Sequence, residues 1–203
     1  MFVRTSRLLL RPGWAEDAPA LAHAIGEEAI VRNLATAPWP YDEREARAFL
    51  EMERDPFLPG FLIFARTQGA PRLVGGCGLA RLPASDAVEL GYWISRPHWG
   101  LGYATEAARG VLDVAQALGI RELAASHFID NPASGRVLRK LGFRPTGRIV
   151  QHHSTARGTD APAALYTRGE EDDGRPIMPA GVQWRNSRGS RRAGRAQPTS
   201  AAA

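Results

Sequence analysis

Cysteine is almost missing from this 203-residue chain: Cys77 stands alone, which excludes an intrachain disulfide. Its setting, Val74-Gly75-Gly76-Cys77-Gly78, is that of a small buried strand residue. Lysine is scarce too, with Lys140 the single one among 26 basic residues, a bias of composition rather than of function. No apolar run is long enough to span a membrane, and the run in Met1–Leu10 is too short for a signal peptide, so the expected location is cytoplasmic. Excess charge is also lacking where it would matter. From Arg168 onward seven arginines face four carboxylates, a net of +3, while the preceding 19 basic and 17 acidic residues leave only +2. The charge of the folded part therefore gives no case for nucleic-acid binding.

With 44% hydrophobic residues the chain can bury one good-sized core. One domain over residues 1–167 is expected, followed by an Arg-rich tail, 168–203, whose lack of apolar periodicity reads as disorder. Trp184 is the aromatic in that tail that could dock on the domain or on a partner.

Within the domain the pattern alternates strands and helices. Arg7–Pro12 reads as a first strand, Asp17–Ile25 and Glu43–Arg54 as helices, and Phe61–Arg66 with Arg72–Arg81 as a hairpin. Val88–Ile94 is a further strand candidate. Ala104, Ala107, Ala108, Val111, Leu112, Ala115 and Leu118 then recur at helical spacing, predicting a helix from about residue 103 to Leu118, stopped by Gly119. Glu122–Ile129 reads as the next strand. A second helix starts on the cap Asn131 and Pro132, shows Val137, Leu138 and Leu141 on one face, and stops at Gly142. Arg148–His153 and Ala163–Thr167 complete the predicted sheet.

The most informative stretch is Trp99-Gly100-Leu101-Gly102-Tyr103-Ala104-Thr105-Glu106-Ala107, two glycines between a strand and the mouth of a helix. The first N–H groups of a helix have no carbonyl partners and carry the positive end of its dipole, so glycines there let an anion come close. A nucleoside-triphosphate loop needs a Lys and a Ser/Thr after its last glycine, and Tyr103-Ala104 stand there instead. A dinucleotide fingerprint needs a third glycine, and Thr105 occupies its place.

Taken in order, "ELGYWI", "HWGLGYATEA" and "NPASGRVLRKLGF" resemble the GNAT superfamily of acetyl-CoA-dependent N-acetyltransferases, most of all its Rim-type branch of ribosomal-protein N-terminal acetyltransferases. The likeness covers roughly residues 5–167. It implies an α+β (α/β) fold: a mixed, mostly antiparallel central sheet with splayed central strands, flanked by helices. It also implies transfer of an acetyl group from acetyl-CoA, as co-substrate and without a metal, to a primary amine by direct attack in a ternary complex. The amine could belong to a protein N-terminus or to a small molecule.

Carried over residue by residue, the resemblance has Gly100, Leu101, Gly102, Tyr103, Ala104 and Thr105 hold the coenzyme phosphates, and Trp93, Ile94 and Asn131 meet its pantetheine arm. Glu89 matches the catalytic glutamate of many relatives, and on period-two alternation it faces away from Val88, Leu90 and Tyr92. The tyrosine that relatives place four residues before the helix-ending Gly-Phe, to protonate the departing thiolate, is Leu138 here. Ser134 matches the serine that serves this purpose in the Rim-type branch, but as an early helical residue it could equally satisfy local backbone. Another departure is Pro97, where relatives often carry Gln or Arg; His98 or Arg96 could supply charge instead. Glu27, Glu28, Asp42, Glu43 and Glu45 around Trp39 and Tyr41 form either an acceptor-attracting surface or ordinary solvated helix faces. The departures leave a second class open, an acyl-CoA-binding sensor or scaffold without turnover. Oligomeric state, monomer or homodimer, is not legible.

Overall fold

A computed structural model describes residues 1–53, 55–82 and 86–169. Within them lie β1 (Val3–Arg4), β2 (Leu8–Arg11), α1 (Ala18–Ile25), α2 (Glu28–Val31), α3 (Glu43–Glu51), β3 (Gly60–Ala65), β4 (Arg72–Arg81) and β5 (Val88–Ile94). Then follow α4 (Tyr103–Ala117), β6 (Leu123–Phe128), α5 (Pro132–Lys140), β7 (Arg144–Ser154) and β8 (Thr159–Arg168). The eight strands form one sheet in the order β1-β2-β3-β4-β5-β6-β8-β7. Every neighbouring pair is antiparallel except β5–β6, which is parallel and joined by the α4 crossover. This is the mixed α/β architecture the sequence implied.

Two apolar layers cover the two faces. Leu8, Leu10, Ile63, Val74, Leu90 and Ile94 pack with Val111 of α4 and Leu138 of α5. On the other face Leu62, Phe64 and Leu73 pack with Leu21 and Ile25 of α1, Val31 of α2 and Ala46 of α3. The alternation of the strands sends successive side chains into opposite layers, which is why β3 reads as a continuous apolar run. The glycines of β4 have a packing purpose as well. A Cβ on Gly76 would lie 2.5 Å from Nε1 of Trp93, so the indole rests directly on the backbone of the neighbouring strand. Cys77 is buried, as its setting implied.

Near the amino-terminal end Arg11 and Asp17 form a two-pronged ion pair, Nη1–Oδ2 and Nη2–Oδ1 both 2.7 Å. The Arg11 guanidinium sits 3.9 Å from the Trp14 ring centre and 4.2 Å from that of Phe64. This cluster locks the chain entering α1 to β2.

Several boundaries differ from the sequence reading. The first helix begins after a short 3₁₀ turn at Ala15–Asp17, and α3 ends at Glu51, short of the predicted Arg54, a position outside the described residues. β7 starts at Arg144 rather than Arg148, because this outer strand is mostly exposed and shows little apolar alternation. β8 starts at Thr159 rather than Ala163, because Thr159, Asp160 and Pro162 mask the buried positions Ala161 and Ala163 at its start. β8 runs one residue past the expected domain end at Thr167. The remaining tail and Trp184 fall in 170–203, outside the described residues.

Candidate active site

The site is set by the one parallel strand pair. β5 and β4 pair at every position from Val88 with Arg81 to Ile94 with Gly75, whereas β5 and β6 share the single position Glu89 with Ala124. Beyond it the strands part, leaving the β6-facing edge of Leu90–Ile94 without a ladder among the described residues. A cleft between two strands offers backbone donors and acceptors to an extended amide-bearing ligand. At its far end lies the glycine turn and the start of α4.

Glu89 stands at the point of divergence. Burial raises its pKa above the ordinary 4.5, while Ser126 Oγ donates to its Oε1 at 2.8 Å and works against that rise. Ser126 comes from β6, two residues beyond Glu89's bridge partner and on the same face by alternation. The sequence reading missed it, since no local signal links Ser126 to Glu89. Trp93, on Glu89's side of β5, packs against the α1–α3 layer. Ile94 turns to the α4 layer, and its carbonyl already accepts from Trp99 Nε1 at 2.6 Å, so part of the backbone contact expected of Ile94 is in use.

The backbone of the turn itself calls for glycine. Gly100 and Gly102 take φ of +77° and +80°, a left-handed conformation that side chains rarely adopt, and no atom lies within 4 Å of where a Gly100 Cβ would be. Gly102 is the N-cap of α4 and has no side chain to cap it, so the N–H groups of Tyr103, Ala104 and Thr105 have no cap from it. The residues that could have replaced the charge lost at Pro97 are otherwise engaged. Arg96 Nη1 pairs with Glu27 Oε2 at 3.3 Å, and His98 Nδ1 lies 2.8 Å from Ser95 Oγ. Burial, then the nearby Arg72 charge, lowers the His98 pKa, which favours the neutral ring.

Across the sheet, Asn131 caps α5, its Oδ1 accepting the Ser134 N–H at 3.3 Å. Ser134 Oγ does not turn back on the helix; it lies 2.8 Å from the hydroxyl of Tyr92, which is also 3.1 Å from the Ser134 carbonyl. Tyr92 faces the layer opposite to Glu89, as its spacing on β5 requires. A phenol from β5 thus meets Ser134, a contact between residues 42 apart that sequence spacing does not show.

Four of the five acidic residues named near the first helices, all but Glu28, make local caps or ion pairs. Asp42 caps α3 by accepting from the Arg44 and Glu45 N–H groups, Glu43 pairs with Arg47, Glu45 with Arg44, and Glu27 with Arg96. Among the described residues no helix is long and apolar enough to cross a membrane, and no cluster of His, Cys, Asp or Glu has the arrangement of a metal site.

Residues 7–144 match the family model described as "Acetyltransferase (GNAT) domain". The chain belongs to the GNAT acetyltransferase family. It is therefore an N-acetyltransferase, and its relatives include a Rim-type enzyme, the ribosomal-protein-serine acetyltransferase of Escherichia coli, 29% identical over 93 residues, 45% of this chain and 50% of its own. An uncharacterized N-acetyltransferase of Bacillus licheniformis, p20, is 28% identical over 160 residues, spanning 76% of this chain and 88% of its own. The solved RimL ribosomal-protein alpha-N-acetyltransferase in complex with coenzyme A has the same fold, with a TM-score of 0.70 and 20% identity over 83% of this chain and 98% of its own. A microcin self-immunity acetyltransferase, MccE, solved with acetyl-CoA and AMP, gives a TM-score of 0.68 at 16% identity, covering 82% of this chain and 94% of its own.

Proposed function

We propose that this GNAT acetyltransferase takes its acetyl group from acetyl-CoA and delivers it to a primary amine, either a protein N-terminus or a small molecule. The thioester of acetyl-CoA supplies an activated acetyl group. The residues present suit such a ligand: a turn with two left-handed glycines and open space at Gly100, followed by a single-bridged strand pair able to take an extended amide arm. Gly100, Leu101, Gly102, Tyr103, Ala104 and Thr105 would hold the diphosphate through backbone N–H groups. Trp93 and Asn131, with what remains of Ile94's backbone, would hold the arm.

Glu89 acts as the proton acceptor for the attacking amine, directly or through a water. Its burial matches it to the task, because a carboxylate with a raised pKa holds an abstracted proton better than an exposed one at neutral pH. Ser126 fixes one carboxylate oxygen and leaves the other to face the amine. An α-amine has a pKa of about 7.7–8.0, so a fraction arrives already neutral and Glu89 has only to complete the work. On the opposite face Ser134 supplies a proton to the departing thiolate and takes the Tyr92 hydroxyl proton in its place, the phenol regaining a proton from solvent before the next turnover.

The observation that carries this reading is the position of Glu89 at the point where β5 leaves β6, on the strand that leads through a short 3₁₀ turn at Arg96–His98 to the glycine turn. Thiol release from acetyl-CoA, followed with a panel of peptides of defined N-terminus and a panel of small amines, tests it. Amine-dependent release with a mass gain of one acetyl on the acceptor is the expected result. Tight binding of acetyl-CoA with no release on any amine would overturn it in favour of a sensor.

A further inference from the structure

The turn between β1 and β2 is fastened to the mouth of α4 by one carboxylate. Glu106, in the first turn of α4, accepts from Thr5 Oγ1 at 2.6 Å, Ser6 Oγ at 3.1 Å and the Arg7 backbone N–H at 2.9 Å through Oε1. Its Oε2 takes Arg7 Nε at 2.7 Å and Nη2 at 2.6 Å. Burial would raise the Glu106 pKa, but these bonds from Thr5, Arg7 and Ser6 outweigh it and hold the value at about 2. The remaining arm of the guanidinium reaches the glycine turn, where Arg7 Nη1 donates to the Leu101 carbonyl at 2.9 Å. The same group lies 4.8 Å from the ring centre of Tyr103, and a Cβ on Gly102 would lie 3.5 Å from Nη2.

We infer that Arg7, anchored by Glu106, is a positioning residue for the coenzyme diphosphate: it holds the Leu101 carbonyl so that the Gly100–Gly102 turn keeps its N–H groups toward the anion. The inference rests on the acetyl-CoA reading above. A carbonyl inside an anion-binding turn repels the ligand unless a donor holds it, and Arg7 is that donor. Arg96 and His98, the neighbours that could have supplied a cation, are bonded elsewhere. The Arg7–Glu106 pair is neutral as a unit, so its contribution is geometric. A lysine would keep the charge but could not bridge Glu106 and the Leu101 carbonyl together, because only the guanidinium presents donors in a fixed fork.

Calorimetric titration of the full chain with CoA and with dephospho-CoA, which lacks the 3′-phosphate but keeps the diphosphate, tests this. Arg7→Gln and Arg7→Lys are each expected to weaken both ligands by about tenfold or more and to the same extent. Val3→Ala serves as the stability control, since Val3 packs on α4 beside Gly110 away from the turn. It should lower the melting temperature with unchanged affinity. If Arg7→Gln does not fold, Arg7→Lys alone carries the comparison. Full affinity in either Arg7 variant, or a loss confined to CoA, overturns the inference. A wild-type chain that binds neither ligand overturns it together with the acetyl-CoA reading, a result distinct from a normal wild type and unaffected variants.

Discussion

The Tyr92 and Ser134 hydroxyls form one pair, 2.8 Å apart, bridging β5 and α5. Two proton arrangements are open to it. When Tyr92 donates to the Ser134 carbonyl, the serine proton points at the phenol; when Tyr92 donates to Ser134 Oγ, that proton is free to leave toward a thiolate. Burial pushes the Tyr92 pKa well up, which its bond to Ser134 only partly offsets, so the phenol enters each turnover protonated across the working pH range. Tyr92→Phe is expected to lower turnover by about tenfold, the equivalent of about 1.4 kcal/mol, with little change in the KM for acetyl-CoA. A double-mutant cycle decides whether the two act as a unit: Tyr92→Phe added to Ser134→Ala should cost almost nothing more. Full additivity would leave Tyr92 as packing alone.

As the proposed proton acceptor, Glu89 should tie activity and stability together with opposite signs. Its folded pKa is raised by burial, so the folded state binds the proton more tightly than the unfolded chain. The protonated form's stabilising contribution is complete below the unfolded value near 4.5 and is lost as pH rises through the folded value. Glu89→Gln should therefore melt higher than wild type at neutral pH, the gap closing toward pH 4. Turnover should move the other way, falling about 10²–10³-fold near neutral pH and recovering at higher pH as more of the amine arrives neutral. Parallel melting and rate profiles of the two proteins check both halves. A variant less stable than wild type at neutral pH would contradict the burial argument, and undiminished turnover would remove Glu89 from the chemistry.

What could be read from the sequence was what local spacing encodes. The Gly100–Gly102 turn, α4 and α5 follow from glycine placement, a capping asparagine and an apolar stripe, and the structure places them within a residue or two of the reading. Elements with too few residues to show a period escaped: β1 has two and α2 has four. Contacts between distant positions were out of reach for a different reason. Ser126 meets Glu89 through a parallel pairing, Tyr92 meets Ser134 across 42 positions, and Arg7 meets Glu106 across 99. Each is a product of topology, and the residue types involved carry no mark of it. The acidic residues Glu27, Asp42, Glu43 and Glu45 show the converse, since their suggestive composition resolves into caps and local ion pairs.

At the glycine turn, Gly102→Val is expected to abolish measurable acetyl-CoA binding while the domain still folds. The left-handed φ of +80° costs an ordinary residue about 1–2 kcal/mol, and a branched side chain more. That strain is small beside the stability of a domain, but the site has an alternative: the turn can relax into a shape that no longer presents its N–H groups. Circular dichroism should show native secondary structure, and calorimetry should show lost affinity. Unchanged affinity in a folded variant would mean that the phosphates rest elsewhere.

The Arg11–Asp17 pair is the electrostatic feature on which stability should depend most. Both side chains are nearly enclosed, 13% and 11% exposed, and Asp17 Oδ2 also accepts the Trp14 N–H at 2.8 Å. Asp17→Ala would leave the Arg11 charge between the Trp14 and Phe64 rings with no counter-ion, a situation that costs about 3–5 kcal/mol. For a domain of this size that is a drop of roughly 10 °C in melting temperature. Burial alone would raise the Asp17 pKa, yet the Arg11 hydrogen bonds, the Trp14 N–H and the Arg11 charge together bring it below the ordinary 3.8. A lowered folded value means that the pair's contribution is present above the unfolded pKa and disappears as pH falls through the folded one. The gap between wild type and Asp17→Asn should then hold from neutral pH down to about pH 4 and shrink below it, as the wild-type carboxylate takes up its proton. Melting curves of the two proteins across that range measure this directly. A gap that stays constant into strong acid would assign the effect to shape and hydrogen bonding, with no share for the ion pair.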